Sequence, residues 1–135
     1  MRLRTWSVLT LAILASACSS LSKSWLEVDR MQRADMLTFP VRIVSVDGQI
    51  LFGENHIRLN VDPGLRSLVL EAAPAELSNV VVQKSYSFAV QPCTSYVLGA
   101  RRASTTARDW ELVVVDKTVD AKCNPDEERR KAGLI

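Results

Sequence analysis

Two stretches of this chain alternate strictly between apolar and polar side chains. His56-Ile57-Arg58-Leu59-Asn60-Val61-Asp62 sets Ile57, Leu59 and Val61 on one side, and Lys84-Ser85-Tyr86-Ser87-Phe88-Ala89-Val90 does the same with Tyr86, Phe88 and Val90. Successive side chains of a strand point to opposite faces, so a period of two marks strands with one buried and one wet face. Val41–Val46, Leu65–Leu70, Thr94–Ala100 and Trp110–Val115 are apolar on both faces in part, which predicts central strands. Asp47-Gly48, Gly53-Glu54-Asn55, Asp62-Pro63-Gly64 and Gln91-Pro92 supply the turn residues between them. Short strands at this spacing predict an all-β fold, a small antiparallel β-sandwich of about 6–8 strands.

The two ends of the chain carry helix signals. Ser24-Trp25-Leu26-Glu27 fits the capping box S-x-x-E and predicts a short helix from Trp25 to about Met36, which Phe39-Pro40 would end. Beyond Cys123, Asn124 can cap a helix and Pro125 suits its first position. Asp126, Glu127 and Glu128 would fill the first turn, Arg129, Arg130 and Lys131 the last, with Gly133 after them. Acids first and bases last match the helix dipole. A helix this short is marginal in isolation, so a frayed charged tail is the alternative.

The first 17 residues have a different character. Arg2 and Arg4 precede Trp6–Ala17, an uncharged and mostly apolar run of 12 residues. A bilayer span needs about 20. The order basic, apolar, small is that of a secretory signal peptide. Leu14-Ala15-Ser16-Ala17-Cys18 then resembles the lipobox of bacterial lipoproteins, with Ala15 where that family usually has Leu. The resemblance implies cleavage between Ala17 and Cys18, a diacylglyceryl group on the Cys18 thiol, and often an acyl chain (palmitate, for instance) on the new amine. Ser19 follows the cysteine where an Asp would be the inner-membrane retention signal, so the resemblance implies the outer membrane, facing the periplasm. Ala15-Ser16-Ala17 also reads as an ordinary A-x-A cleavage site, which would release a soluble secreted protein.

Three cysteines are an odd number for an exported chain. Lipidation of Cys18 would leave Cys93 and Cys123 as an even pair in an oxidising compartment, where disulfides persist. The expectation is a Cys93–Cys123 bond, against two separate buried thiols. No C-x-x-C pair is present and the only histidine, His56, is far from either cysteine in sequence, so no metal site is expected. The chain thus divides into signal peptide (1–17), lipidated tether with a short helix (18–37), β-sandwich (38–123) and charged tail (124–135).

Charge and motifs narrow the function. The formal net charge is +2, and Arg2 and Arg4 account for all of it, since no acid lies before Cys18. A neutral body argues against nucleic-acid binding, which draws on a surplus of Lys and Arg. The sequence has no G-x-S-x-G elbow, H-E-x-x-H, P-loop or G-x-G-x-x-G. Asp109 and Glu111, and Asp116 and Asp120, read as solvated carboxylates. No catalytic residue, cofactor or metal is expected, and the chain is read as a non-enzyme. Arg101, Arg102 and Arg108 flank one polar connection and form a candidate binding patch for headgroups, a glycan or an envelope protein, or else a charged loop tip. Trp110, Tyr86 and Tyr96 are read as core aromatics, and Trp25 as lying in the membrane interface or packed on the domain.

Val46-Asp47-Gly48, and later Val61-Asp62-Pro63-Gly64 followed by Leu65–Leu70, resemble a recurrent piece of small extracytoplasmic sandwiches such as PEGA-like domains. That resemblance implies an Ig- or transthyretin-like sandwich with tight Asp-Gly and Pro-Gly turns, and it implies no catalytic residues. The resulting expectation is a lipid-anchored envelope protein that binds or scaffolds. Its alternatives are a small envelope enzyme or enzyme inhibitor with a cleft near His56, and the soluble binding protein cut after Ala17.

Overall fold

The computed structural model describes residues 23–28, 35–52 and 58–135. Eight strands follow in order: β1 (Ser24–Glu27), β2 (Thr38–Val46), β3 (Gln49–Ile50), β4 (Arg58–Val61), β5 (Gly64–Ala72), β6 (Gln83–Val90), β7 (Thr94–Arg101) and β8 (Glu111–Val119). The helix α1 (Pro125–Lys131) closes the order among the described residues. The fold is all-β, as the alternation predicts. The strands form one continuous sheet ordered β4-β1-β7-β2-β5-β6, with β3 added to β2 and β8 to β7.

β2 gives this sheet its two layers. Its first residues, Thr38–Pro40, pair with Arg101–Gly99 of β7, while Val41–Val46 pair with Ala72–Leu68 of β5. The change of partner falls between Pro40 and Val41, and proline has no N–H to leave unsatisfied there. One layer is therefore β4-β1-β7-β8 and the other β3-β2-β5-β6. Leu26, Val61, Tyr96, Leu98 and Ala100 face Val41, Ile43, Leu68, Leu70 and Val90 in a single buried cluster. Phe88 of β6 meets Tyr96 of β7 edge to face at 5.0 Å across the two layers. At about 25 cal/mol per Å² of apolar surface, this shared cluster is the main driving force for folding.

Close packing also explains Gly99. A Cβ there would lie 2.9 Å from Val115 Cγ2 and 3.1 Å from Thr38 Cγ2, so only glycine lets β2 and β8 close over that face of β7. Asp47 and Gly48, with φ of 50° and 78°, make the two-residue turn between β2 and β3. Positive φ at both places is what a hairpin with the right-handed strand twist requires, and Asp-Gly supplies it.

Three expectations need correction. Ser24–Glu27 is a strand and not the start of a helix; the rest of that predicted helix lies largely outside the described residues. β1 is hydrogen-bonded on both sides, antiparallel to β4 and parallel to β7. The side chains that suggest a capping box are used across the sheet instead: Ser24 Oγ donates to the Gln91 carbonyl at 2.8 Å, and Glu27 pairs with Arg58 at 3.0 Å. Second, the β1–β7 pairing makes the sheet mixed, not wholly antiparallel. Third, β8 is not central. Among the described residues it pairs with β7 alone, and Val114 and Val119 on it are 44% and 62% exposed.

The sheet does not close into a barrel. β6 and β8 are joined at one end by side chains alone. The Leu112 N–H donates to the Tyr86 hydroxyl at 3.2 Å, Trp110 Nε1 donates to the Val82 carbonyl at 3.0 Å, and Trp110 lies against Tyr86 with ring centroids 5.8 Å apart. Trp110 is 1% exposed, so its ring fills the core while its one donor is satisfied.

At the other end, Cys93 and Cys123 are bonded, with Cα atoms 5.6 Å apart. The predicted tail helix forms beyond Cys123. Asn124 Oδ1 accepts from the N–H groups of Asp126 and Glu127, and Gly133 follows in the left-handed region. Tertiary contact holds this short helix. Glu128 is 3% exposed and its Oε2 accepts from the Lys23 N–H at 3.2 Å. Replacing both Cys93 and Cys123 by Ala should lower the unfolding free energy by about 3–4 kcal/mol, the chain-entropy value for a loop of this size. Urea denaturation followed by tryptophan fluorescence measures it.

Candidate binding surface

The registers give the sandwich two ends. Ser24 opposite Val61, Trp25 opposite Ser95, Thr94 opposite Val119 and Gly64 opposite Val90 define one, which also holds the disulfide and α1. Arg101 opposite Glu111 and Thr38, and Val41 opposite Ala72, define the other, where the longer connections gather. Those connections touch one another. The Arg102 N–H donates to the Leu37 carbonyl at 2.9 Å, and the Glu76 N–H donates to the Thr105 carbonyl at 2.9 Å.

Arg101, Arg102 and Arg108 all belong to this second end, but their side chains do not form one exposed patch. Arg101 is exposed and pairs loosely with Asp35 at 3.5 Å, and Arg108 is exposed. Arg102 is 3% exposed and lies inside. Its guanidinium stacks 4.6 Å from the Phe39 ring centre, and Nη2 donates to the Ala73 carbonyl. Its Nε and Nη1 are buried without a hydrogen-bond acceptor, and no carboxylate among the described residues forms an ion pair with it. Burial pulls the Arg102 pKa down from its ordinary value. An unpaired buried cation is costly. Arg102 is thus a tie beneath the connections, and the surface cations of this end are Arg101 and Arg108. The sequence does not separate the three, since adjacent arginines at the end of a strand leave their directions open.

Beside them, Lys84 Nζ lies 2.7 Å from Asp109 Oδ1 and also donates to the Trp110 carbonyl. The hydrogen bond to Asp109 raises the Lys84 pKa, and the same bond lowers that of Asp109. Asp109 therefore serves the Trp110 corner, and Glu111 stays exposed on the strand after it. Asp116, beside the register shift within β8, accepts from the Lys117 N–H, and Asp120, in the turn after β8, accepts from the Lys122 N–H, so both make local bonds to the main chain.

A second feature lies beside the strand that follows His56. A cleft of about 250 Å³ opens between the β2–β3 hairpin and β4, walled by Leu51 and Leu59, with Asp47, Asn60 and Arg66 among its polar groups. Arg66 Nη1 pairs with Asp47 Oδ2 at 3.0 Å, and Asp47 Oδ1 accepts from the Ser67 N–H at 2.9 Å. The turn signal Asp47-Gly48 is legible, but nothing in the spacing shows that Asp47 also holds Arg66. The described lining holds the carboxylates of Asp47 and Asp62, the Asn60 amide and the Arg66 guanidinium, and no histidine, cysteine or hydroxyl side chain.

His56, Ala17 and Cys18 lie outside the described residues. Among the described residues, no group of three His, Cys, Asp or Glu side chains is placed to hold a metal, and no helix is long and apolar enough to cross a membrane. Trp110, Tyr96 and Tyr86 are core or half-buried aromatics, as read from the sequence. Trp25 packs on the domain, with the Arg58 guanidinium 4.2 Å over its ring. No family model matches this chain, and no curated protein or solved structure matches it.

Two substitutions test these assignments. Arg102→Met should leave stability at or above that of the parent in thermal unfolding, because an apolar side chain of similar length removes a buried unpaired charge. Lys84→Met should raise the Asp109 carboxyl toward the ordinary aspartate range in an NMR pH titration, with the remaining lowering due to the Trp110 backbone hydrogen bond. The pair's contribution is present above the unfolded Asp pKa near 3.8 and is lost as pH falls through the lowered folded value. On the alkaline side it is present below the unfolded Lys pKa near 10.5 and is lost as pH rises through the raised folded value.

Proposed function

We propose that this chain is a lipid-anchored cell-envelope protein, held by Cys18 at the outer membrane and facing the periplasm, whose β-sandwich binds or scaffolds and does not catalyse. The observation that carries the reading is the sequence Leu14-Ala15-Ser16-Ala17-Cys18 behind a basic and then apolar start. The cysteine inventory supports it. With Cys93 and Cys123 joined, Cys18 is the one thiol left over, and acylation would use it. Two or more acyl chains, at about 0.8 kcal/mol per buried methylene, are enough for stable anchoring without a spanning helix.

The architecture is in keeping with a binding role. Strands fixed by two layers and a covalent staple carry exposed connections at one end, the usual division between scaffold and recognition surface. Arg101 and Arg108 there suit an anionic group on an envelope protein or a glycan polymer.

Cell fractionation and intact mass test the reading together. The native protein should sediment with membranes and have the mass of the chain from Cys18 onward plus diacylglyceryl and acyl groups. Cys18→Ser should be released to the soluble fraction. A native mass equal to the bare chain from Cys18 would overturn the anchor in favour of the soluble form.

A further inference from the structure

We propose that the end of the sandwich carrying Lys23 lies directly on the phospholipid headgroups, with Leu65 and Leu134 seated toward the bilayer. The inference rests on the lipid-anchor reading and adds which face meets the membrane.

Chain length supplies the argument. Five residues, Cys18 to Ser22, lead from the lipidated sulfur to Lys23. At no more than about 3.6 Å per residue, Lys23 is within roughly 18 Å of the acylated residue. Lys23 is also fastened to the domain at once. Its N–H bonds Glu128, and the next residue, Ser24, bonds the Gln91 carbonyl and pairs with Val61. The tether therefore pulls on a fixed point of a stapled end, where Cys93, Cys123 and α1 sit together. β7 spans about 24 Å from Thr94 to Arg101 at the usual rise per strand residue, so the opposite end is held away from the surface.

The surface beside that point suits a headgroup layer. Leu65 is 68% exposed and Leu134 is 48% exposed, and both lie at this end of the sandwich, Leu134 with its Cδ atoms beside Gly64. Lys122 and Arg130 are exposed at the same end and make no ion pair among the described residues, which leaves both free to meet phosphate oxygens. Arg129 and Lys131 are engaged with Asp126 and Glu127.

The test uses the full lipidated protein in vesicles that contain phosphatidylglycerol and a phosphatidylcholine spin-labelled on its headgroup. Leu65→Trp and Leu77→Trp each add one indole at an exposed position, at the near and the far end respectively, and each is compared with the unaltered chain. The label quenches only indoles that lie among the headgroups. The expected result is a loss of emission at Leu65→Trp well beyond that of the unaltered chain, and no added loss at Leu77→Trp. If the protein floats with the vesicles but Leu65→Trp is not quenched, or both positions are, the orientation is wrong and the anchor stands. A blue shift at Leu65→Trp without quenching would mean that a second protein copy covers that position, which also overturns the orientation. Failure to float removes the anchor reading and this inference with it.

Discussion

The change of partner along β2 is the constraint from which the rest of the fold follows. One strand serves two layers because Thr38–Pro40 lie beside β7 and Val41–Val46 lie beside β5. If β2 kept one partner throughout, the apolar faces of β5 and β7 would lie in one plane and both would face water. The sharing brings Leu68 and Leu70 over Leu98 and Ala100, where all four are buried at once. Local chemistry fits the demand. Pro40 lacks a donor where the ladder changes hands, its carbonyl accepts from Ala73, and Gly99 across from it has no Cβ to collide with Thr38 and Val115 on the flanking strands.

A sheet folded this way has to end somewhere, and it ends at β6 and β8. Backbone pairing does not join these strands, so side chains do. Tyr86, Lys84 and Trp110 each place a polar atom on a main-chain group of the opposing segment, and the rings of Tyr86 and Trp110 pack in or against the core. That arrangement leaves the far part of β8 uncovered, which is why Val114 and Val119 are exposed although the strand reads as thoroughly apolar. Asp116 and Lys117 lie on this same edge, and charges on an edge strand discourage pairing with another chain.

Much of this is legible in the sequence, and the limits have physical reasons. Strict alternation at Arg58–Val61 and Gln83–Val90 reports a one-sided environment directly, so those strands and their inward faces can be read off. The Asn124 cap and the charge order of α1 are equally local. Ser24–Glu27 misleads because a capping box is a local signal, while the competing hydrogen bonds come from β4 and β7, distant in sequence. β8 reads as central because apolarity on both faces does not distinguish a strand with two neighbours from one with a single neighbour and an uncovered face. For the candidate surface, the sequence groups three arginines that the backbone then separates: Arg102 turns inward under Ala73 while Arg101 and Arg108 stay in water.

The two ends of the sandwich also differ in what holds them, and this bears on where recognition can occur. At the Lys23 end a covalent bond, a helix with a buried glutamate and two main-chain contacts from the first residues converge within one small region. At the other end, the connection after β5 rests on the Arg102 tie to Ala73 and the Glu76–Thr105 bond, and it carries Leu77 at a positive φ with its side chain 96% exposed. Local opening costs least where few buried contacts must break. A partner that needs these connections to adjust on binding therefore meets little resistance there, whereas the stapled end transmits any pull from the tether to the whole core. The same covalent closure that fixes one end allows the other to remain adaptable without endangering the fold.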